Sequence, residues 1–192
     1  MKKVVIIGGV AGGASCAARL RRLDETAQIT LLERGYNISY ANCGLPYHVG
    51  GVIPARQSLL LQTPEAMKKK FRVDVRVRSE AVSIDRAART VAVRNLETGE
   101  EYSLPYDTLV LATGSSPVRP PIPGIDSPRV QTLWTVEDAV RIRALVSEAH
   151  LKSAVVVGGG FIGLEMAENL RRAGLAVTIV EMLDQVMAPL DF

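Results

Sequence analysis

The strongest constraint on this chain is one pattern that occurs twice: a short apolar strand, a glycine-rich turn, a helix, and a second strand ending in an acid. The first copy runs from residues 4–7 through the turn at 8–13 to residues 29–32 and Glu33. Such a turn directs backbone N–H groups and a helix N-terminus at a pyrophosphate, while the acid accepts from a ribose hydroxyl. Val10 occupies the middle glycine of the G-x-G-x-x-G register, so a turn that binds nothing stays open as an alternative.

The second copy matches the pattern completely. Residues 154–157 are a continuous apolar run, residues 158–163 fit G-x-G-x-x-G, and residues 164–172 have a helical pattern. The next strand, residues 177–180, ends in Glu181. The chain is therefore predicted to hold two dinucleotide-binding βαβ units.

The acids that end the second strands indicate which nucleotide each unit prefers. Glu33 and Glu181 favour a free 2′-hydroxyl and repel a 2′-phosphate. Arg34 follows Glu33 and suits either a phosphate or stacking on an adenine, whereas Met182 offers no cation beside Glu181. The second unit is therefore predicted to prefer NADH over NADPH; if Glu181 only faces solvent, that preference is open.

Composition excludes several functional classes. The 192 residues are 47% hydrophobic and 22% charged with a net charge of +3, which describes a soluble globular chain. Basic residues are dispersed and aromatics make up only 5%, so no nucleic-acid partner is expected. Every apolar run is too short to span a membrane. Two cysteines cannot form a disulfide scaffold, which favours a reducing, cytoplasmic location.

The middle of the chain reads as a helix followed by a small β insertion. Thr63 is predicted to cap a helix with Pro64 at its first position, and the lysines at 68–70 form a solvated face or, less favoured, a polyanion patch. From residue 72 to residue 104 the period is two, which predicts an antiparallel insertion. Residues 106–112 are predicted to be a further buried strand.

A proline-rich stretch at residues 117–124 marks a linker, and Thr135 with Asp138 is predicted to start a helix that runs to about Ala149. The predicted fold is α/β, with two Rossmann-like units built on parallel sheets. Residues 1–116 form the first nucleotide-binding domain, which contains the antiparallel insertion and the cysteine loop described next. Residues 117–192 begin the second nucleotide-binding domain.

Cys43 lies in a loop, residues 39–47, that has no apolar periodicity. A thiol in such a loop is either a buried bystander or a reagent. His48 stands where a C-x-x-x-x-C pair would have its second cysteine, so a reactive Cys43 would act alone, through a mixed disulfide, a sulfenic acid or a persulfide. Gly44 and Pro46 predict a short helix just after Cys43, whose positive end would stabilise a thiolate. The other cysteine, Cys16, lies on a small-residue helix face and is predicted to be structural.

Four segments together, residues 8–13, 39–47, 112–114 and 158–165, resemble the single-cysteine disulfide oxidoreductases that use FAD and a pyridine nucleotide. The most similar subgroup comprises the coenzyme A-disulfide reductases and the NADH-dependent persulfide or polysulfide reductases. The resemblance implies FAD in the first unit, the pyridine nucleotide in the second, and Cys43 as the redox nucleophile close to the flavin. The predicted cofactor-binding residues are Gly8, Val10, Ala11, Gly12, Gly13, Glu33, Arg34, Asn42, Ala81, Val82, Ala112, Thr113, Gly114, Gly158, Gly160, Phe161, Ile162, Gly163, Glu165 and Glu181.

The same resemblance implies a site for coenzyme A. Arginines there would make charge-assisted bonds to its phosphates, although Arg19 and Arg22 could equally form a solvated helix face. The coenzyme A pattern has a lysine at position 71, where this chain has Phe71 between Lys70 and Arg72. The predicted substrate-binding residues are Ser15, Arg19, Arg22, Ser39 and Asn42.

The predicted function is electron transfer from NADH through FAD to Cys43, which reduces coenzyme A disulfide, a persulfide or a polysulfide. One alternative is an NADH oxidase or peroxidase in which Cys43 cycles through a sulfenic acid; another is a non-catalytic nucleotide-binding module. Family members continue beyond Phe192, so the sequence is expected to be their N-terminal part. The full-length enzyme is expected to be a homodimer without a metal.

Overall fold

The computed structural model describes residues 1–148 and 150–190; Ala149, where the fourth helix was predicted to end, and Phe192 lie outside the described residues. Cα packing divides the chain into two compact units. The first unit comprises Met1–Tyr40 and Leu60–Ser115, and the second comprises Ala41–Leu59 and the chain from Ser116 onward.

The helices and strands fall into two sets, one for each unit. In the first unit they are β1 (Lys3–Ile7), α1 (Ala11–Leu23), β2 (Gln28–Leu32), α3 (Pro64–Phe71), β3 (Val73–Arg76), β4 (Ser79–Asp85), β5 (Thr90–Asn95), β6 (Glu101–Pro105) and β7 (Thr108–Leu111). In the second unit they are α2 (Leu45–Val49), α4 (Val136–Val146), β8 (Ser153–Val157), α5 (Phe161–Arg172) and β9 (Ala176–Val180), together with 3-10 turns at Asn42–Gly44 and Arg56–Leu59.

The first unit is built on a four-stranded parallel sheet in the order β3-β2-β1-β7. Its central strand β1 is buried on both faces, as its continuous apolar run predicts. On one face Ile6, Leu31 and Met67 belong to a core that also includes α1 residues. On the other face Val5 packs with Val91 of the antiparallel sheet. The predicted α/β fold class is confirmed.

The antiparallel insertion is smaller than the sequence predicts. It has three strands, in the order β4-β5-β6, whereas the predicted insertion also included β3. Instead, β3 pairs in parallel with β2, with Val73 opposite Ile29. The alternation that begins at Val73 reports only that one face is buried, here against the first core, and it does not report the direction of the neighbouring strand.

The prediction of a buried strand at residues 106–112 is also wrong in part. The strand β7 exists, but its residues are half-buried and Leu111 is 63% exposed. Among the described residues β7 pairs with β1 alone, which makes it the edge strand of its sheet.

The second unit contains a two-stranded parallel sheet. Strands β8 and β9 run in register from Ser153 opposite Ala176 to Val157 opposite Val180, and α5 connects them. The short helix α2 packs against both α4 and α5. This is the strand, glycine turn, helix and strand that the second sequence copy predicts.

The two predicted helix caps are confirmed. The Thr63 hydroxyl accepts from the Ala66 amide at 3.2 Å, with Pro64 at the first helical position. Thr135 and Asp138 form a reciprocal capping box. Backbone bonds from Thr135 and a side-chain bond from Arg141 outweigh desolvation and lower the pKa of Asp138. This helix ends at Val146, with Ser147 as its C-cap.

Lys68–Lys70 is exposed on α3, consistent with a solvated face. Within residues 1–148 and 150–190, no helix combines the length and apolar character needed to cross a bilayer.

A buried arginine, which sequence reasoning missed, holds three segments of the first unit together. Arg21 is 8% exposed and uses all five of its N–H donors on backbone carbonyls. Its Nε donates to Phe71 at 2.7 Å, and its terminal nitrogens donate to Asp24, Glu25, Ala27 and Arg72 at 2.8–3.1 Å. One side chain thereby joins the end of α1, the entry to β2 and the end of α3.

We expect Arg21→Met to lower the free energy of unfolding by about 3 kcal/mol or more, because it removes five charge-assisted bonds to carbonyls. Urea unfolding of the purified protein measures the loss. The matched control is Arg22→Met, since Arg22 is exposed and its loss should change the free energy by about 0.5 kcal/mol or less. Equal stability of the two variants would contradict this assignment.

Candidate functional site

The first glycine turn is closed too tightly for side chains at two positions. Gly8 has φ +103°, and a Cβ there would lie 2.0 Å from the carbonyl oxygen of Ala112. A Cβ on Gly13 would lie 1.7 Å from the carbonyl oxygen of Gly8. Helix α1 begins within this turn, at Ala11, and its N-cap residue Val10 makes no side-chain capping bond. The first turn of α1 therefore presents its N-terminal end to a ligand without a competing side-chain acceptor.

Glu33 is fixed against this turn. One carboxylate oxygen accepts from the Gly9 amide at 2.8 Å, and the other accepts from the Gly35 amide at 2.7 Å. Each oxygen keeps a second lone pair for a hydroxyl donor. Because Gly8, Glu33 and Ala112 follow β1, β2 and β7, they meet at the carboxyl edge of one parallel sheet, which is where such sheets bind ligands.

The other residues predicted to bind the first cofactor lie on the same unit, apart from Asn42. Ala112, Thr113 and Gly114 follow β7, and the Ala112 amide donates to the Ile7 carbonyl at 2.8 Å. Ala81 and Val82 lie on β4 at a break in its pairing register. At the start of the same strand, the Ser79 amide donates to the Glu33 carbonyl at 3.0 Å. Exposed residues of this predicted set are Ala11, Gly12, Arg34, Val82, Thr113 and Gly114.

The second glycine turn repeats this construction. Gly158 has φ +102°, and a Cβ on Gly163 would lie 1.9 Å from the Gly158 carbonyl oxygen. Gly160 is the N-cap of α5, and a Cβ there would have no atom within 4 Å. Phe161 and Ile162, which open α5, are 61% and 49% exposed. Open space therefore lies in front of the helix N-terminus.

Glu181 occupies the position that Glu33 has in the first unit. It accepts from the Gly159 amide at 2.5 Å with one oxygen, and from the Met182 and Leu183 amides at 2.8 and 2.9 Å with the other. These backbone bonds, that from Leu183 foremost, lower the pKa of Glu181. Its carboxylate thus faces the glycine turn and carries a negative charge, which disfavours a 2′-phosphate beside it.

Cys43 is exposed in the 3-10 turn that leads directly into α2, as the sequence predicts. The turn packs closely at Gly44, where a Cβ would meet a Leu59 methyl group at 3.0 Å. The predicted first domain includes this loop, whereas the compact units place Ala41–Leu59 with the second one. Asn42 and Cys43 therefore belong to the second compact unit, in which the helix that follows them, α2, packs against α4 and α5.

The remaining predicted substrate residues belong to the first unit. Ser15, Arg19 and Arg22 are exposed and follow one face of α1, at spacings of four and three residues. Ser39 has φ +44°, and its amide donates to the Gly9 carbonyl at 3.0 Å. Cys16, by contrast, packs against the first core, which agrees with its predicted structural role.

Helix α5 contacts α2 through a glycine that has no room for a side chain. A Cβ on Gly50 would lie 2.4 Å from Oδ1 of Asn169. Asn169 is 2% exposed, and its side-chain amide donates to the Glu165 carbonyl at 2.8 Å. Sequence reasoning missed this pair; its signal is an asparagine on the apolar face of α5, between Met166 and Leu170.

We expect Gly50→Ala to destabilise the protein by about 1–3 kcal/mol through this overlap, although φ −74° at this position suits alanine. The double variant Gly50→Ala/Asn169→Ala should be more stable than the sum of the single changes predicts, because the second change removes the overlapping amide. Thermal denaturation of all four proteins gives the coupling; strict additivity would contradict the contact.

Two glycine turns, each with a buttressing acid at a sheet edge, and an exposed cysteine ahead of a short helix define a nucleotide-dependent thiol oxidoreductase. A family model described as "Pyridine nucleotide-disulphide oxidoreductase" matches residues 2–191. The chain belongs to this family. Membership confirms the resemblance and the predicted enzyme class, with FAD and NADH as its cofactors.

Relatives within the family match this chain over nearly its whole length. Coenzyme A disulfide reductase of Staphylococcus haemolyticus is 38% identical over 191 residues, which cover 100% of this chain and 43% of the relative. The crystal structure of reduced Bacillus anthracis CoADR-RHD has 53% identity and a TM-score of 0.96, over 99% of this chain and 34% of that one. A NAD-dependent persulfide reductase from A. fulgidus has 41% identity and a TM-score of 0.93, over 97% of this chain and 35% of that one.

A water-forming NADH oxidase from Lactobacillus brevis is also similar, with 30% identity and a TM-score of 0.92, over 98% of this chain and 41% of that one. The chain thus spans less than half the length of each of these proteins.

Proposed function

We propose that this chain is the nucleotide- and thiol-binding part of an FAD-dependent enzyme that uses NADH to reduce a small disulfide, persulfide or polysulfide. The observation that carries the proposal is the single exposed cysteine, Cys43, in the 3-10 turn before α2, with buried His48 where a second cysteine would stand. Similarity to coenzyme A disulfide reductase and to a persulfide reductase supports this substrate class.

The residues present fit the two nucleotides. At Gly8 and Gly163 a Cβ would overlap backbone oxygens, so both turns need glycine to close, and each leads into an α-helix N-terminus suited to a pyrophosphate. We propose that the predicted cofactor residues of the first unit hold FAD and that those from Gly158 to Glu181 hold NADH. In the same way, residues 1–116 and 117–192 correspond to FAD- and NAD-binding domains.

FAD, when bound, supplies two electrons drawn from NADH to the sulfur at Cys43. The Cys43 thiolate attacks one sulfur of a disulfide RSSR, so a Cys43–SR bond forms and RS⁻ leaves. Two electrons and a proton then cleave that bond, releasing RSH and restoring the thiolate. With protonation of the first RS⁻, the balance is RSSR + NADH + H⁺ giving 2 RSH and NAD⁺.

Several contributions of the chain follow from its geometry. The 3-10 turn exposes Cys43 to an incoming disulfide. Because residue 48 is not a cysteine, no thiol at that position can attack the mixed disulfide, which therefore persists until two electrons cleave it. Arg19 and Arg22, exposed on α1, are proposed to bind anionic groups of a substrate such as coenzyme A. We propose that the full-length enzyme is a homodimer, as the family resemblance implies. We also propose that it is cytoplasmic, because the two cysteines of this chain cannot form a disulfide scaffold.

The test uses the protein expressed from its complete gene. We expect bound flavin that bleaches on anaerobic addition of NADH, followed by NADH oxidation that depends on added coenzyme A disulfide or polysulfide. Two thiols should appear for each NADH consumed when a disulfide is used. Flavin bleaching without turnover of any sulfur substrate would contradict the proposal.

The second candidate is an NADH oxidase in which Cys43 cycles through a sulfenic acid. The observation that favours it is the similarity to the Lactobacillus brevis enzyme, together with the exposure of Cys43. Oxygen uptake at the full rate of NADH oxidation, without any disulfide, would select this function. A protein that binds NADH but neither flavin nor sulfur substrates would be the non-catalytic module.

A further inference from the structure

One side chain of α4, that of Arg143, hydrogen-bonds to the backbone at the end of α2 and in the loop after it. The two N–H groups on Nη1 of Arg143 are shared among the carbonyl oxygens of His48 at 3.1 Å, Ile53 at 3.0 Å and Pro54 at 3.0 Å. The three carbonyls come from the end of α2 and from the loop after it. Arg143 therefore links α4 to both ends of a six-residue turn in the cysteine-bearing segment.

The imidazole of His48 reinforces the same turn. Its Nδ1 lies 2.7 Å from the Ile53 carbonyl oxygen. A carbonyl can only accept, so Nδ1 must be the protonated nitrogen of the ring. The approach of Arg143 Nη1 to Nδ1 at 3.2 Å is then a contact between two donors, and the hydrogens of Arg143 serve the carbonyls. His48 is 3% exposed, which keeps this arrangement away from water.

Helix α2 depends on such support because it is only five residues long. A helix of this length has almost no stability of its own. Its C-terminal carbonyls carry the negative end of the helix dipole, where a guanidinium is favourable. The orientation of α2 fixes the 3-10 turn before it, and Cys43 lies in that turn.

From these contacts we infer that Arg143 is a positioning residue for Cys43: by holding the carbonyls of His48, Ile53 and Pro54 it sets the orientation of α2 and hence the place of the reactive sulfur. The inference rests on the proposed function of Cys43 and names a residue that acts on it from a second helix. Arg143 itself need not touch the substrate.

The experiment compares Arg143→Met and Arg143→Lys with the control Arg141→Met, in the flavin-bound protein from the complete gene. Arg141 lies on the same helix, but among the residues that the structure describes its hydrogen bonds go to the side chains of Gln131 and Asp138. Two rates are measured per bound flavin: bleaching by NADH in a single turnover, and steady-state NADH oxidation with coenzyme A disulfide or polysulfide. Counting per flavin removes any loss of folded protein.

We expect Arg143→Met to lower kcat with the disulfide by about 10- to 100-fold, the effect of displacing a reacting group by about 1 Å. Bleaching by NADH should stay within about twofold of the parent, because that step does not use the thiol, and a purely structural defect would lower both rates. Arg143→Lys, which keeps a charged donor, should recover part of the loss. Arg141→Met should behave as the parent.

Parental disulfide turnover in Arg143→Met would overturn the inference while leaving the proposed function standing. No disulfide turnover in either the parent or Arg141→Met would instead refute the proposed function, and the inference with it. If Arg143→Met yields no flavoprotein, Arg143→Gln and Arg143→Lys replace it; parental turnover in both would overturn the inference, and selective loss of disulfide turnover would support it.

Discussion

Cys43→Ser is expected to lower disulfide reduction by at least about a thousandfold in the protein from the complete gene, while flavin binding and bleaching by NADH persist. A serine hydroxyl at neutral pH is a far weaker nucleophile than a thiolate and cannot form the mixed disulfide. The change should cost little stability, because Cys43 is exposed and the turn around it is held by backbone bonds, including Gly44 to Ala41 at 2.9 Å.

The matched control is Cys16→Ser, the same substitution at the other cysteine. Cys16 packs against the first core, so its replacement should reduce stability by about 1 kcal/mol and leave turnover per folded molecule unchanged. Stopped-flow bleaching and NADH oxidation with a disulfide are recorded for both variants. Undiminished disulfide reduction by Cys43→Ser would refute the proposed role, and loss of activity in Cys16→Ser alone would move that role to Cys16.

The elements that sequence patterns predict correctly are those specified by neighbouring residues or by spacing within one βαβ unit. The caps at Thr63 and Thr135 depend on residues within three positions, and both form as predicted. The glycine turns and their acids depend on spacing within one βαβ unit, and each acid does bond to its own turn. The short helix after Cys43 was likewise predicted from Gly44 and Pro46.

The parts that could not be predicted depend on distant neighbours. Strand β3 shows the alternation of a half-buried strand, and only pairing with β2 decides that it belongs to the parallel sheet. Arg21 and Arg143 look like ordinary surface arginines in sequence, yet their donors reach carbonyls up to 51 and 95 residues away. A weak signal was present for Arg21, which continues the apolar face of α1 after Ala14 and Ala17.

The loop that carries Cys43 illustrates the same limit. Its composition predicted an exposed thiol before a helix, and the structure has one. Its packing partners were not predictable, because α4 and α5 follow it by about a hundred residues and share no local pattern with it. Sequence order places the loop in the first domain, whereas Cα packing places its residues from Ala41 onward in the second compact unit.

Two alanine substitutions in the second glycine turn are expected to separate folding from nucleotide binding. Gly163→Ala places a Cβ 1.9 Å from the Gly158 carbonyl oxygen. Because that oxygen belongs to the backbone, α5 must move away from β8, and we expect a loss of about 3 kcal/mol or more of stability. The melting temperature and NADH affinity should fall together, as thermal denaturation and flavin bleaching at graded NADH concentrations would show.

Gly160→Ala should have the opposite profile. Gly160 has an extended backbone (φ −77°, ψ −176°) that any residue can adopt, and a Cβ there meets no atom within 4 Å. The first unit already carries a side chain, Val10, at the equivalent N-cap, so the turn tolerates one structurally. The added methyl group would instead occupy space before the N-terminus of α5, where a pyrophosphate needs close approach to the backbone. We expect an unchanged melting temperature and about tenfold weaker NADH binding. If Gly160→Ala bound NADH as tightly as the parent while Gly163→Ala lost stability, the turn would serve only to connect β8 to α5. The nucleotide site would then have to lie elsewhere.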